Sequence, residues 1–243
     1  SEMCIRDRGD TITRRMAIDG PARRAMPMID ALLERKDWSG LMRYVASFNQ
    51  EPLYYIQTIL SHVREAAPDP QTNFHADTFH PSMKAWFFLT DVAEDEGPFC
   101  YVPGSHLLTP ERIAWEREMS IGAAENPDRY SARGSFRASA ADLERMKLPK
   151  PRAFAVPANT LVVGDTVGFH ARGFSARPSR RVEIWAYSRR NPFVPWTGLD
   201  PLSLPGIAEA RIPLLWKTLD RAQALGLASN SWVDKGLKRP LDD

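Results

Sequence analysis

Two side chains with metal-binding chemistry stand two positions apart in the sequence, His75 and Asp77. In an extended segment, residues i and i+2 project to the same side, so an imidazole and a carboxylate with this spacing can bind one metal ion together. A second imidazole would complete a set of two histidines and one carboxylate. Such a set leaves coordination positions open and is typical of non-haem Fe(II) sites that react with oxygen, rather than of structural zinc sites.

The candidate for the second histidine is His170, in a segment that we predict to be a strand over 166–171. Alternation along this strand would place Gly168 and His170 on one face. Because glycine has no side chain, we expect that face to leave room for a substrate beside the metal. For the other histidines of this region, we expect His80 at the mouth of the pocket and His106 in a structural turn.

Two consecutive arginines, Arg180 and Arg181, stand at the start of a later strand predicted over 181–188. An arginine that points into the protein requires an anionic partner, because burying an unpaired guanidinium is very costly. A dianionic 2-oxo acid would supply it. Fe(II) with one carboxylate ligand has one net positive charge, the dianion makes the sum one negative charge, and one arginine restores neutrality. Strand alternation allows either arginine to be the inward one.

These motifs resemble those of the phytanoyl-CoA dioxygenase family of Fe(II)/2-oxoglutarate-dependent oxygenases, over residues 74–106 and 158–193. The resemblance implies a double-stranded β-helix fold and iron, 2-oxoglutarate and O2 as cofactors. The implied metal ligands are His75, Asp77 and His170. The arginine eleven residues after the distal histidine, Arg181, is implied to bind the far carboxylate of 2-oxoglutarate, with Arg180 as the neighbouring alternative.

Two residues of a strand predicted over 84–90 complete the set of site candidates. Trp86 matches a family tryptophan that lines the co-substrate pocket. Lys84 has the same parity and would also face inward, where a co-substrate carboxylate would stabilise it. Simple core packing of Trp86 and a solvated strand end at Lys84 are the alternative interpretations.

The carboxylate at Asp77 bears on the reaction class. Relatives that halogenate carry a small residue at this position, so the resemblance implies hydroxylation of a small-molecule substrate with release of succinate and CO2. One alternative is a cupin-like metal-dependent enzyme or metal-binding module that does not use 2-oxoglutarate. Another is a jelly-roll binding module without catalysis, which would tolerate the loss of Asp77.

The composition limits the partners. A net charge of +2 in 243 residues gives no basis for binding nucleic acid or an anionic membrane. No apolar run approaches the roughly 20 residues that cross a bilayer. Two cysteines, Cys4 and Cys100, do not make a disulfide framework, which fits a reducing compartment. We therefore expect a cytoplasmic protein that acts on a small molecule, and the sequence carries no signal for an oligomeric state.

The fold predicted from the sequence is mainly β with flanking helices, around a double-stranded β-helix (jelly roll or cupin-like) core. Short strands at close spacing, rich in β-branched and aromatic residues, indicate this class. The predicted strands are 53–63, 84–90, 99–102, 153–156, 160–163, 166–171 and 181–188. Helices are predicted over 21–36, 110–119, 140–147 and 207–225. A further short helix is predicted to begin after a cap at Asp37.

The domain organisation follows from these elements. Residues 1–8 show no periodicity and are expected to be a non-native leader outside the fold, so that 9–243 form a single domain. A polar insertion, 107–150, is expected to be a lid, and a helical tail is expected over 192–243. The arginines considered for an anionic substrate are Arg129, Arg133, Arg137, Arg172 and Arg177.

Overall fold

The computed structural model describes residues 4–8, 10–67, 69–190, 192–193, 204, 206–228, 232–234 and 236. Its strands are β1 (Cys4–Arg8), β2 (Thr11–Ala17), β3 (Leu53–Ser61), β4 (Ser82–Phe88), β5 (Phe99–Tyr101), β6 (Arg152–Phe154), β7 (Thr160–Asp165), β8 (His170–Arg172), β9 (Ser179–Arg189) and β10 (Val233–Asp234). Its α-helices are α1 (Gly20–Ala25), α2 (Pro27–Leu33), α3 (Lys36–Ala46), α4 (Pro110–Ile121), α5 (Ala140–Arg145) and α6 (Ile207–Ala224).

The strands form two antiparallel sheets. A seven-stranded sheet has the order β10-β1-β2-β3-β9-β4-β7, and a three-stranded sheet has the order β6-β5-β8. Within the described part of the chain, the two sheets do not close into a barrel. The predicted mainly β fold with flanking helices is confirmed, with two opposed sheets at its core.

Each face of the large sheet has a different neighbour, because successive side chains of a strand point to opposite faces. On β9, Ile184 packs in a hydrophobic cluster with Trp38 and Met42 of α3. The next residue, Trp185, belongs to a second cluster that includes Phe99 of the small sheet. The N-terminal helices therefore cover one face of the large sheet, and the small sheet lies over the other.

The N-terminal helices differ from the prediction in two respects. The segment 21–36 forms two helices, α1 and α2, because Pro27 has no backbone N–H for a helical hydrogen bond and begins a new helix after Met26. The predicted cap Asp37 lies inside the first turn of α3, which begins at Lys36. There its carboxylate accepts hydrogen bonds from Arg35 and from the backbone of Trp38.

The exclusion of the N-terminal segment from the fold was wrong for residues 4–8, which form β1 and pair with β2 along its whole length. Residues 1–3 lie outside the described residues. Strand β2 was not predicted from the sequence either. The segment 4–8 shows no apolar periodicity, and backbone pairing with a neighbouring strand leaves no pattern in the sequence that would predict β1.

The insertion 107–150 is packed into the body of the protein. Trp115 of α4 and Phe136 share a hydrophobic cluster with Ala76 and Phe169, which lie next to the candidate metal ligands. Helix α5 begins with a reciprocal capping box between Ser139 and the residue three positions later. The insertion is therefore part of the structure that surrounds the site.

The C-terminal tail is described in part. Helix α6 spans Ile207–Ala224 with Pro213 inside it, and its described residues expose Leu214 and Leu215 while Trp216 contacts Tyr55 of the large sheet. The stretches 194–203 and 237–243 of the predicted tail lie outside the described residues. None of the described helices is long and apolar enough to cross a bilayer.

Candidate metal centre and active-site cavity

The segment that contains the first two candidate ligands is bonded along both edges. On one edge His75 exchanges two backbone hydrogen bonds with His170, each 3.0 Å from N to O. On the other, the backbone of Ala76 donates to Phe136 of the insertion. In a hydrogen-bonded antiparallel pair, directly opposed side chains lie on the same face. The backbone itself therefore brings the two imidazoles together, with ring centroids 4.5 Å apart.

Three donor atoms converge at this point, one each from His75, Asp77 and His170, all within 4.8 Å of one another. The Asp77 Oδ1 atom lies 3.9 Å from Nε2 of His75 and 3.7 Å from Nε2 of His170. Two neighbouring metal–ligand bonds of about 2.1 Å hold their donor atoms roughly 3.0–3.4 Å apart, so the aspartate oxygen and each imidazole would approach by about 0.3–0.9 Å to share one ion. The convergence predicted from the sequence is present.

The hydrogen bonds of the two imidazoles orient their rings. Nδ1 of His75 lies 2.8 Å from the carbonyl oxygen of Asn73, and Nδ1 of His170 lies 3.0 Å from that of Gly168. Because a carbonyl can only accept, each Nδ1 carries the proton and each Nε2 keeps its lone pair. This is the arrangement that fixes metal-binding histidines in the correct tautomer.

Burial and neighbouring charges keep the three side chains in the protonation states that bind metals. Burial lowers the pKa of His170 to about 4 and holds the pKa of His75 well below its ordinary value. Burial raises the pKa of the Asp77 carboxyl, but Lys84 and the two imidazoles outweigh this effect and hold it below its ordinary value. Near neutral pH the site therefore has two neutral imidazoles and one carboxylate.

Lys84 reaches into the same site from β4. Its Nζ donates to Asp77 Oδ1 at 2.7 Å, lies 2.6 Å from Oδ2, and is 3.5 Å from Nε2 of His170. The inward orientation predicted by strand parity is therefore present. The Lys84 ammonium group balances the negative charge of the Asp77 carboxylate, as a metal ion bound to that carboxylate would also do.

A cavity of about 370 Å³ opens next to these residues. It is lined by His75, Asp77, His170, Lys84, Trp86 and Arg181, which include every site residue predicted from the sequence except Arg180. Trp86 both lines this cavity and packs against Phe99, with ring centroids 4.2 Å apart. His80 and His106, considered in the sequence analysis, are not among the residues that line it.

The two consecutive arginines have opposite orientations. Arg181 is 7% exposed and lines the cavity, where its Nη1 donates to the carbonyl oxygen of Gly97 at 2.7 Å and its guanidinium pairs with Glu183. Arg180 is exposed at the start of β9 and does not line the cavity. The inclusion of Arg180 as a candidate is therefore corrected: strand alternation turns it away from the site.

The strand predicted over 166–171 begins only at His170, and the residues before it form a turn. The explanation proposed for Gly168 was also wrong. A Cβ atom at this position would lie 2.0 Å from the hydroxyl oxygen of Tyr101. Gly168 makes room for a tyrosine of the small sheet rather than for a substrate.

Other lining residues were not predicted as site residues. Arg15, Gln57, Tyr187 and Arg189 come from β2, β3 and β9 and face the cavity because they share the parity of the inward residues on those strands. Arg15 was missed because β2 was not recognised. The two on β9 could have been found, since both have the parity of Arg181.

The insertion contributes Tyr130, Ser135 and Arg137 to the lining. Of the arginines considered for an anionic substrate, Arg137 and Arg172 line the cavity. The others do not: Arg129 and Arg133 are exposed on the insertion, and Arg177 pairs with acidic residues outside the cavity. Only part of the basic set therefore surrounds the site.

Several solved structures are similar to this chain. The non-haem α-ketoglutarate-dependent epimerase SnoN from nogalamycin biosynthesis is 22% identical, with a TM-score of 0.48 over 82% of this chain and 76% of SnoN. HygX from Streptomyces hygroscopicus, with nickel and 2-oxoglutarate bound, is 21% identical, with a TM-score of 0.41 over 77% of this chain and 74% of HygX. AviO1 from Streptomyces viridochromogenes Tue57 is 21% identical, with a TM-score of 0.42 over 76% and 69%. Identities this low do not transfer a substrate or a reaction to this chain.

A search of curated proteins gave no match. A family model described as phytanoyl-CoA dioxygenase (PhyH) matches residues 11–173, a stretch that includes His75, Asp77 and His170 and ends before Arg181. The match covers more than half of the 243 residues and confirms the resemblance found in the sequence. This chain therefore belongs to the phytanoyl-CoA dioxygenase (PhyH) family of non-haem Fe(II)/2-oxoglutarate-dependent oxygenases.

Proposed function

We propose that this protein hydroxylates a small-molecule substrate in a reaction that consumes 2-oxoglutarate and O2 and releases succinate and CO2. The observation that carries the proposal is the convergence of His75, Asp77 and His170 within 4.8 Å at one wall of a cavity of about 370 Å³. The same cavity has a buried arginine, Arg181, in its lining. We retain the prediction of a cytoplasmic location.

The proposed metal ligands are His75, Asp77 and His170. Their donor set of two imidazoles and one carboxylate is the set that non-haem Fe(II) oxygenases use, and it leaves positions for other ligands. Bound Fe(II) would supply the redox chemistry that couples oxidation of 2-oxoglutarate to oxidation of the substrate. The protein holds the ligands through the backbone pair between the two histidines and through the carbonyls that fix the rings.

The proposed co-substrate site lies beside these ligands. Arg181 would bind the far carboxylate of 2-oxoglutarate, since a guanidinium can bind a carboxylate through two parallel hydrogen bonds. Lys84 would contact a second carboxylate oxygen, because a metal ion at Asp77 takes over part of the charge balance that the ammonium provides. Trp86 would form an apolar wall that excludes water from the reacting atoms.

One observation favours the alternative of a metal enzyme that does not use 2-oxoglutarate. The charge of Arg181 is already balanced by Glu183, so the arginine does not require a co-substrate for its burial. The two proposals differ in whether 2-oxoglutarate binds next to the metal and is converted to succinate.

An anaerobic titration decides between them. Fe(II) and 2-oxoglutarate are added together to the protein, and the weak visible charge-transfer band of the ternary complex is recorded. We expect the band in the wild-type protein and in His106→Ala, which changes an exposed histidine outside the cavity. We expect no band in His170→Ala. Its absence from the wild type, or its survival in His170→Ala, would contradict the proposal.

The type of oxidation is tested separately by mass spectrometry of the product. The ternary complex is exposed to O2 with pools of metabolites while succinate is measured. Hydroxylation adds one oxygen atom to the substrate. A product with unchanged composition, or one that has lost two hydrogen atoms, would be consistent with the proposed cofactors but would contradict hydroxylation.

A further inference from the structure

A row of polar side chains crosses the cavity face of the large sheet on neighbouring strands. Arg15 of β2 stands directly opposite Gln57 of β3, and Gln57 stands directly opposite Glu183 of β9. Directly opposed side chains lie on the same face of a sheet and within reach of each other. Arg15 and Gln57 line the cavity, as does Arg181, which shares the parity of Glu183 on β9. The row therefore connects one cavity-lining arginine with another.

The amide group of Gln57 joins the charged members of this row. Its Oε1 accepts a hydrogen bond from Nε of Arg15 at 2.6 Å, and its Nε2 donates to Oε1 of Glu183. A guanidinium can only donate and an ionised carboxylate can only accept, so one orientation of the amide satisfies both neighbours. Because Gln57 is only 3% exposed, water has little access to replace either bond.

The carboxylate of Glu183 depends on this amide. Glu183 has no exposed surface, and within the described part of the chain its carboxylate accepts a hydrogen bond from Gln57 alone. The other oxygen, Oε2, forms the ion pair with Nε of Arg181 at 3.0 Å. A buried carboxylate is costly unless an opposite charge and hydrogen bonds both compensate it. Loss of the amide therefore favours protonation or rotation of the carboxylate, and either change weakens its hold on Arg181.

We propose that Gln57 is a positioning residue for the binding of 2-oxoglutarate, because it keeps the Glu183 carboxylate ionised and oriented toward the Arg181 guanidinium. The inference rests on the proposed function, in which Arg181 binds the far carboxylate of the co-substrate. It adds a residue that acts on this contact through Glu183 and does not itself touch the co-substrate.

Two substitutions of Gln57 separate this role from packing. Gln57→Leu removes both hydrogen bonds. Gln57→Glu keeps the shape of the side chain, but only its protonated form can donate to Glu183 as the amide does. Two carboxylates at this distance repel each other strongly when both are ionised, so the pKa of the added carboxyl is raised. The matched control is Gln71→Glu, which adds a carboxylate to the same cavity from the segment Pro70–Thr72, outside the row.

Equilibrium dialysis of the Ni(II)-loaded full chain measures the dissociation constant of 2-oxoglutarate without turnover. We expect Gln57→Leu to weaken binding by about tenfold or more, since hydrogen bonds to charged groups contribute more than neutral ones. Gln57→Glu is expected to weaken it by about tenfold at about pH 8, and to recover to within roughly threefold of the wild type at about pH 6. A glutamate at position 71 is ionised at both values, because its ordinary pKa is about 4.3, so the ratio of Gln71→Glu to the wild type is independent of pH.

Urea denaturation without metal and co-substrate distinguishes positioning from direct contact. If the added carboxyl shares a proton with Glu183, the folded chain binds more protons than the unfolded one. The free energy of unfolding of Gln57→Glu should then rise, relative to the wild type, as the pH falls from about 8 to about 6. Binding that depends on pH without this rise in stability would mean that Gln57 contacts the co-substrate directly, and would overturn the inference.

The remaining outcomes also decide. Wild-type affinity in folded Gln57→Leu, or the same pH dependence in Gln57→Glu and Gln71→Glu, overturns this inference and leaves the proposed function intact. Equally weak binding by Gln57→Glu at both pH values overturns it as well. Failure of the wild type to bind 2-oxoglutarate overturns the proposed function and this inference with it.

Discussion

The Nε atom of Arg181 lies 3.0 Å from Oε2 of Glu183, a residue with no exposed surface. The amide of Gln57 donates to the other carboxylate oxygen, and the carbonyl of Gly97 accepts from the arginine. The Arg181 guanidinium, which lines the cavity, is thus fixed in position by an ion pair with a buried carboxylate. This pairing changes the expected consequence of removing the arginine, because its loss leaves an unpaired buried charge.

The variant Arg181→Gln is expected to lose both stability and co-substrate affinity. Removing one partner of a buried ion pair costs about 3–5 kcal/mol, and the loss of a charged contact should raise the KM for 2-oxoglutarate by roughly tenfold or more. Urea denaturation and steady-state kinetics measure the two effects. The neighbouring Arg180→Gln is the control, since an exposed substitution changes stability by no more than about 0.5 kcal/mol.

The double variant Arg181→Gln/Glu183→Gln separates the two losses. It removes the unpaired carboxylate and should recover much of the stability while the affinity for 2-oxoglutarate stays low. Recovery of both properties together would mean that Arg181 acts only through the fold.

Lys84→Met is expected to strengthen metal binding in the absence of co-substrate. The ammonium lies 2.6 Å from one oxygen of Asp77 and competes with a metal ion for that carboxylate. Two like charges about 4 Å apart repel by several kcal/mol at an effective dielectric constant near 20, so an increase of at least about tenfold in Ni(II) affinity follows. Calorimetric titration measures it, with the exposed Lys147→Met as the control. An unchanged or weaker affinity would show that Lys84 supports the ligand instead of competing for it.

The stability of the metal-depleted protein is expected to fall as the pH decreases from about 7 to about 5. Burial lowers the pKa of His170 from 6.5 to about 4 and lowers that of His75 as well. Between these values the unfolded chain binds more protons than the folded one, so the free energy of unfolding is highest above the unfolded pKa and decreases as the pH falls toward the folded pKa. The effect of His170 alone is on the order of 3 kcal/mol over the whole interval.

Urea denaturation after chelation of metals measures this dependence. The variant His170→Asn should show a weaker dependence on pH between 7 and 5. A slope equal to that of the wild type would indicate that other groups are responsible.

Gly168→Ala is expected to destabilise the protein. The added Cβ would meet the Tyr101 hydroxyl at 2.0 Å and the ring carbon that carries it at 2.6 Å. Forcing an extra methyl group into a packed site costs about 1–3 kcal/mol. The matched control is Gly40→Ala in helix α3, where a Cβ meets no atom within 4 Å and alanine is favoured by roughly 0.5–1 kcal/mol. Thermal unfolding should therefore shift in opposite directions in the two variants, and a shift in the same direction would contradict this account.

Short-range patterns and motif spacing predicted much of the site, because the ligand types and the parity of each strand are visible in the sequence. The inward orientation of Lys84 follows from its parity with Trp86, while Trp86 and Arg181 were implied by the family resemblance. The ion pair between Arg181 and the buried Glu183 was not predicted, since the burial of Glu183 depends on how the strands assemble. The role of Gly168 could not be predicted, because Tyr101 reaches it from a different sheet.

Sequence patterns also predicted the fold only in part. Strands with apolar or aromatic residues were recognised, while β1 and β2 were missed because their pairing leaves little mark on composition. Helix α6 was predicted from its sequence, but which of its sides would be buried was not, and the structure buries Trp216 more than Leu214 and Leu215. Helical periodicity identifies an amphipathic element, but a helix interrupted by Pro213 can present a different side to its neighbour.

Arg112 of α4 connects the insertion to the segment that precedes His170. Its side chain is 2% exposed and donates to the carbonyl oxygens of Ser105 at 3.0 Å and Val167 at 3.1 Å. The guanidinium also lies over the ring of Phe169, with its carbon 4.0 Å from the ring centre. We therefore expect Arg112→Met to leave two buried carbonyls without this donor, at a cost of about 2–4 kcal/mol, and to weaken metal binding by loosening the turn before the ligand.

Denaturation and Ni(II) titration measure these two effects of Arg112→Met. The control is Arg117→Met, an exposed arginine one turn further along the same helix. A loss of stability without any change in metal affinity would mean that the turn keeps its shape without the arginine. If both properties decline together and the control is unaffected, the insertion acts as a support for the ligand segment, because its helix holds the main chain from which His170 projects.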